Sequence, residues 1–236
     1  MTYQEAAQKI SSGLNLATPP IALAFSDEPP DGVATFEGDV PSACTFWRNA
    51  EQGVFYGPAD KHFNCPVGAM TMGFDMPASV QEQLMGIVQM MTGCGYISPE
   101  EAAKIPTIDK KKNGITYGPM KEFPVTPDLV LMWLTPRQAM IFSESVGSCR
   151  WTEDFPTTAF GRPACAALPV ASKSSQSTLS LGCMGMRTFT DISEDRLLAV
   201  LPGDKLDEFV TQLQNNLNAN QTMKTFYQEH KGKFAA

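Results

Sequence analysis

The sequence is short of charge and of histidine. Charged residues make up 18% of its 236 positions and histidine occurs twice, at His62 and His230, against a charged share of about 25% in ordinary globular chains. With so few imidazoles a Cys–His hydrolase lacks its base, and no G-x-S-x-G or Ser/His/Asp arrangement stands out. Basic residues are outnumbered, giving a net charge of -7 and a pI near 4.9. Such a surface repels polyanions, so nucleic-acid binding is not expected. The one basic run, Lys110-Lys111-Lys112, precedes Asn113-Gly114 and reads as a solvated turn. No apolar stretch approaches the roughly 20 residues of a membrane span. The first ten residues carry acid and amide among apolar positions, unlike a secretory signal. A cytoplasmic location is expected, with the six cysteines reduced rather than paired. Nucleotide loops are missing too, since no G-x-G-x-x-G opens a helix and Gly182-Cys-Met-Gly-Met-Arg187 lacks the Lys-Ser/Thr of a P-loop. There is no C-x-x-C pair, which excludes zinc ribbons, ferredoxin-type runs and c-type haem attachment.

What remains is a chain rich in Gly, Pro and Met, long enough to bury a sizeable core without a metal. Tyr3, Ala6, Ala7, Ile10 and Leu14 fall at helical spacing after Thr2, a cap candidate. Pro19-Pro20 breaks that helix, and Ile21–Phe25 reads as a buried strand. Ser42 to Gly53 has the pattern of a capped helix with Cys44 in its first turn, where the helix dipole would lower a thiol pKa. Val54–Tyr56 is strand-like. Cys65 precedes a helix begun by Pro66 and capped by Asn64, and Ser79–Met91 is a further helix. The turn residues of 114–119 and 123–127 predict a connection between two halves. Leu129–Leu134 is the clearest strand, and Thr135-Pro136 starts a helix after it, in the manner of a βα unit. Ser177–Leu181 and Leu197–Leu201 are two more strands, and Leu206, Phe209, Val210, Leu213 and Leu217 line a last helix.

These elements predict an α/β or α+β fold, a layered sheet with flanking helices. Residues 1–236 form a single globular domain, with room for two similar halves divided near 110–127. A thin echo supports the halves: Cys65 and Cys183 each follow a strand-like segment, have a glycine within three residues and precede Met-containing runs. The charge-poor surface allows self-association into a homo-oligomer.

Cysteine is the chemistry the chain advertises. Cys65 and Cys183 lie among turns and glycines at element ends, where sites accumulate. Cys44 and Cys149 come next, the latter beside Arg150, which would stabilise a thiolate. Cys165, in Ala-Cys-Ala-Ala-Leu, reads as a small buried hydrophobe. His62 is either a ligand three residues before Cys65 or a capping histidine. The methionines at 70, 72, 76, 85, 90 and 91 read as core at helical spacing.

Taken together, Cys44-Thr-Phe-Trp-Arg-Asn-Ala50, Val54-Phe-Tyr56, His62-Phe-Asn-Cys65-Pro-Val-Gly68 and Leu181-Gly-Cys183-Met-Gly-Met-Arg187, ahead of Leu198-Ala-Val-Leu-Pro-Gly203, resemble the prokaryotic family of unknown function numbered 169. The resemblance runs over most of the chain and implies cysteines in the corresponding places and many occurrences in anaerobes. Cys94 fits that pattern least.

The expected function is a cysteine-centred site holding an iron–sulfur cluster or another metal, in a redox or cofactor-handling role. Its expected ligands are Cys65, Cys183, Cys44 and Cys149, with Arg187 balancing charge and a metal or small-molecule cofactor as partner. The alternatives are a haem or other tetrapyrrole, with His62 or a cysteine as axial ligand, and a metal-free thiol enzyme using a cysteine beside Arg187 or Arg150.

Overall fold

The computed structural model describes residues 1–109, 111–147 and 162–233. The chain opens on helix α1 (Tyr3–Leu14), whose capping box is complete: Thr2 Oγ1 accepts from the Glu5 N–H, and the Glu5 carboxylate accepts from the Thr2 N–H. Strand β1 (Ile21–Ser26) follows Pro19-Pro20. Helix α2 (Ala43–Asn49) ends four residues before Gly53, and strand β2 (Phe55–Pro58) leads through a 3₁₀ turn to the short helix α3 (Pro66–Thr71). Helices α4 (Ala78–Gly93) and α5 (Pro99–Ala102) complete the first run of helices. Then come β3 (Gly114–Pro119), β4 (Leu129–Leu134), α6 (Pro136–Ser145), α7 (Ala167–Ser174), β5 (Thr178–Ser180), α8 (Met184–Phe189), β6 (Leu197–Pro202) and α9 (Leu206–His230).

The strands form one six-stranded sheet in the order β2-β3-β1-β4-β6-β5, every neighbouring pair antiparallel. Helices therefore flank a sheet as the sequence predicts, but the β4–α6 step is no parallel βα unit, because both sheet neighbours of β4 run against it. Side chains alternate between two cores. Ile21, Leu23 and Phe25 of β1, Leu129, Leu131 and Trp133 of β4, and Leu198 and Val200 of β6 face α2, α3, α7 and α8. Ala22, Ala24, Val130, Met132, Leu134, Ala199 and Leu201 face α1, α6 and α9. Burial on both faces explains why these strands read as continuous apolar runs.

Residues 114–119, expected to be a turn-rich connection, form the fully buried strand β3 instead. Its glycines mislead because here they answer crowding rather than turning. A Cβ on Gly114 would come 2.4 Å from the Tyr56 ring, and one on Gly118 would come 2.7 Å from Val54. Glycine inside a strand marks such close approach.

A similar constraint fixes the turn after β6. The N–H of Gly203 donates to the Asp128 carbonyl at 2.8 Å, and a Cβ at Gly203 would lie 1.8 Å from the Pro127 carbonyl oxygen. Gly203→Ala is expected to cost about 2 kcal/mol or more by overpacking against fixed backbone. An unchanged urea midpoint for that variant would show that the turn yields freely and would contradict this placement.

Candidate functional site

Four of the six cysteines line one cavity of about 300 Å³: Cys44, Cys65, Cys165 and Cys183. They come from α2, the start of α3, the 3₁₀ turn entering α7, and the start of α8, elements that cover the same face of the sheet. Cys44 and Cys165 are buried, at 6% and 4% exposure, while Cys65 and Cys183 are half-buried. Cys165, read from the sequence as core, is both core and cavity wall. Its neighbours Ala164, Ala166 and Ala167 carry no polar signal, so only the fold could reveal its second role. Cys149 lies outside the described residues. Cys94 is exposed, and its thiol sits 3.4 Å from the Met91 carbonyl.

Local sequence explains how the two half-buried thiols are aimed. Gly68 lets α3 lie against α2, for a Cβ there would fall 2.6 Å from that of Ala43 and 3.0 Å from the Cys65 sulfur. The helix cap is Cys65 rather than Asn64, whose side-chain amide instead donates to the Val40 carbonyl. After β5 the backbone turns at Gly182 with φ 90°, a left-handed conformation that glycine adopts without strain. Cys183 then caps α8, its sulfur accepting from the Met186 N–H at 3.5 Å. Arg187 holds this loop together, since its guanidinium donates to the carbonyls of Leu181, Ser193 and Arg196 at 2.9, 2.9 and 2.6 Å. The residue expected to balance thiolate charge is thus committed to the loop that presents Cys183.

The cavity is otherwise apolar and soft. Met70, Met91 and Met186 contribute thioethers, and Ile87, Val88 and Phe189 contribute hydrocarbon. The methionine series therefore divides: Met72 is core, Met70 and Met91 line the cavity, and Met85 and Met90 are exposed. At the rim the guanidinium of Arg162 lies 4.1 Å from the centre of the Tyr96 ring, and the Tyr96 hydroxyl accepts from the Met184 N–H.

Burial sets the electrostatics. It pushes the Cys44 thiol well above its ordinary range, and the proximity of Cys165, Cys183 and Cys65 raises it further. The dipole effect expected at the start of α2 is overridden by desolvation. Cys165 is raised by burial as well, with Cys65 and Cys183 adding to the shift. At neutral pH both are therefore uncharged thiols, poor nucleophiles until something positive is placed among them. Among the described residues no three His, Cys, Asp or Glu side chains are close enough to grip a single metal ion. All four thiols line the one cavity.

His62 lies elsewhere, in a cluster with Phe46, Phe74 and Tyr117, at 1% exposure. The Pro58 carbonyl, 2.9 Å from Nδ1, can only accept, so Nδ1 carries the proton; Nε2, 2.8 Å from the Tyr117 oxygen, then accepts from that hydroxyl. With both nitrogens engaged the ring offers no lone pair to a metal, and its role here is to satisfy a buried polar pair.

A family model described as DUF169, an uncharacterised ArCR family, matches residues 9–212. An uncharacterized protein, MJ0308, of Methanocaldococcus jannaschii is 24% identical over 227 residues, covering 90% of this chain and 94% of that protein. No solved structure matches the chain.

The His62 environment has a pH signature. Desolvation lowers its pKa from 6.5 to about 4. The imidazole is neutral in the folded protein and takes a proton first in the unfolded one. Stability from this group is complete above pH 6.5 and falls as pH drops towards 4. Between pH 7.5 and 5 the loss is about 2 kcal/mol. Urea unfolding across that range should show the decline, and His62→Gln should flatten it. An equal slope in both proteins would rule out His62 as its source.

Proposed function

We propose that this chain, which belongs to the uncharacterised DUF169 family, holds an iron–sulfur or comparable soft-metal centre at its four-cysteine cavity. The supporting observation is the convergence of Cys44, Cys65, Cys165 and Cys183, three of which were expected as ligands, on one apolar space that also carries three thioethers. Thiolate and thioether are the donors that select iron–sulfur clusters and copper(I), whereas hard oxygen ligands suit magnesium and calcium.

The geometry favours a group with internal extent. A structural zinc ion needs four ligands at one point, about 2.3 Å from sulfur. An iron–sulfur cluster spreads its irons and takes thiolates from around its edge. Four cysteines lining one cavity are donors of the kind the second arrangement uses. The bound centre supplies the positive charge that two buried neutral thiols need in order to ionise. Such a group, when bound, provides one-electron redox chemistry, which supports a redox or cofactor-handling role. The chain's residues present the thiols, exclude water and, through Arg162 at the rim, place one cation near a centre that four thiolates would make anionic.

Protein purified without oxygen, or refilled with ferrous iron and sulfide, is expected to be brown and to retain iron after desalting. Cys65→Ser and Cys183→Ser should each lower the retained iron roughly tenfold or more, as expected when a centre loses a ligand. A sharp Soret band would point to a tetrapyrrole and overturn the cluster reading. Colourless protein that retains no metal would overturn any metal centre.

A further inference from the structure

The sheet divides into two equivalent halves. Its order places β2-β3-β1 beside β4-β6-β5, with β1 and β4 as the antiparallel central pair. Ala22 pairs with Val130, while Ile21 pairs with Leu131 and Leu23 with Leu129, so the ladder reads the same when the strands are exchanged. Sequence agrees with this pivot: Thr18-Pro19-Pro20-Ile21-Ala22-Leu23 matches Thr126-Pro127-Asp128-Leu129-Val130-Leu131 in its Thr-Pro and in its apolar run. The next ladders correspond as well. Pro119, the last residue of β3, lies opposite the first of β1, and Pro202, the last of β6, lies opposite the first of β4. Each proline then leads into a three-residue 3₁₀ turn.

The thiols obey the same relation. Cys44 lies in the helical segment between β1 and β2, and Cys165 lies in the helical segment between β4 and β5. Cys65 follows β2 as the cap of a six-residue helix; Cys183 follows β5 as the cap of another six-residue helix. Each half thus supplies one buried and one half-buried thiol. A two-fold axis normal to the sheet maps each face onto itself. Elements related by it cover the same face, and related side chains are set around the axis. The cavity lies where both thiol pairs meet.

We infer that the metal centre is held across this internal two-fold, two thiolates from each half, so that Cys44 corresponds to Cys165 and Cys65 to Cys183 as ligands of a two-fold-symmetric cluster. This rests on the metal-centre reading and deepens it by pairing the ligands across the two halves and fixing the ligand set within the described residues. Cys94 has no counterpart in the second half and takes no part.

The test is anaerobic reconstitution of the full chain with ferrous iron and sulfide, for wild type and the single variants Cys44→Ala, Cys65→Ala, Cys165→Ala, Cys183→Ala and Cys94→Ala. Iron and sulfide per chain and the visible spectrum are measured, with a melting curve of each metal-free variant to report on folding. Losses should match within pairs, Cys44 with Cys165 and Cys65 with Cys183, each roughly tenfold or more, while Cys94→Ala loads as wild type. X-ray absorption at the iron edge of the wild-type protein, which requires no variant to fold, should show sulfur alone in the first shell. A wild-type centre that depends on Cys65 and Cys183 but tolerates loss of Cys44 or Cys165 would overturn the symmetric ligand set and leave the metal reading standing. Nitrogen or oxygen in the first shell would do the same. Wild-type protein that retains no iron would overturn both.

Discussion

The antiparallel pairing of β1 with β4 is the constraint on which the rest of the chain depends. Both strands are central, both are buried on two faces, and their alternation divides the interior into two cores. A slip of one residue would turn Leu23 and Leu131 towards α1, α6 and α9 and bring the small Ala22 beneath α2 and α7. Because β3 and β6 are registered on these two strands, and β2 and β5 on those in turn, the positions of the segments that carry the four cavity cysteines follow from that central ladder. The cavity is thus a consequence of sheet register before it is a matter of loop sequence.

Four thiols can share an apolar space because a protonated thiol behaves as a small hydrophobe. The fold bears little cost while they stay neutral, and burial, with mutual proximity, keeps Cys44 and Cys165 so. Ionising even one of them requires a nearby positive charge. Arg187 does not provide it, being bound to three carbonyls, and Arg162 lies at the rim over Tyr96. A free thiolate nucleophile is therefore disfavoured at these two positions, and the proposed metal among the sulfurs would satisfy the requirement directly.

Much of this was legible from residue patterns. The layered sheet with flanking helices, strands β1, β4 and β6, the Thr2 and Thr135 caps and the family resemblance follow from periodicity, capping chemistry and motif. Three of the four cavity thiols were also marked, since glycines and turn residues beside Cys65 and Cys183 and the helix start at Cys44 are local signals. Cys165 was not, because alanines on both sides look the same whether the thiol meets hydrocarbon or a cavity. Strand β3 was hidden for a related reason: the glycines that read as turns, Gly114 and Gly118, answer Tyr56 in β2 and Val54 just before it. His62 read as either a ligand or a capping histidine because the partner of its Nε2, Tyr117, is 55 positions away. In each case the deciding contact is distant in sequence.

The two halves agree where they form the floor of the cavity and differ where they form its mouth. The first half carries α4 and α5 between its half-buried cysteine and its last strand, and these helices with the residues after each add Ile87, Met91, Tyr96 and Ile105 to the cavity lining. The second half has no helix of that kind between α8 and β6, and contributes Arg162 and Pro163 to the same wall. A symmetric set of sulfurs is therefore reached through an asymmetric opening, apolar on one side and bearing a guanidinium on the other. In the proposed centre, ligand identity belongs to the cysteines, whereas Tyr96 and Arg162 bear on access and charge compensation. On that proposal, substitutions at Tyr96 or Arg162 alter how readily the centre is filled or reached by solvent, while the choice of metal stays with the cysteines.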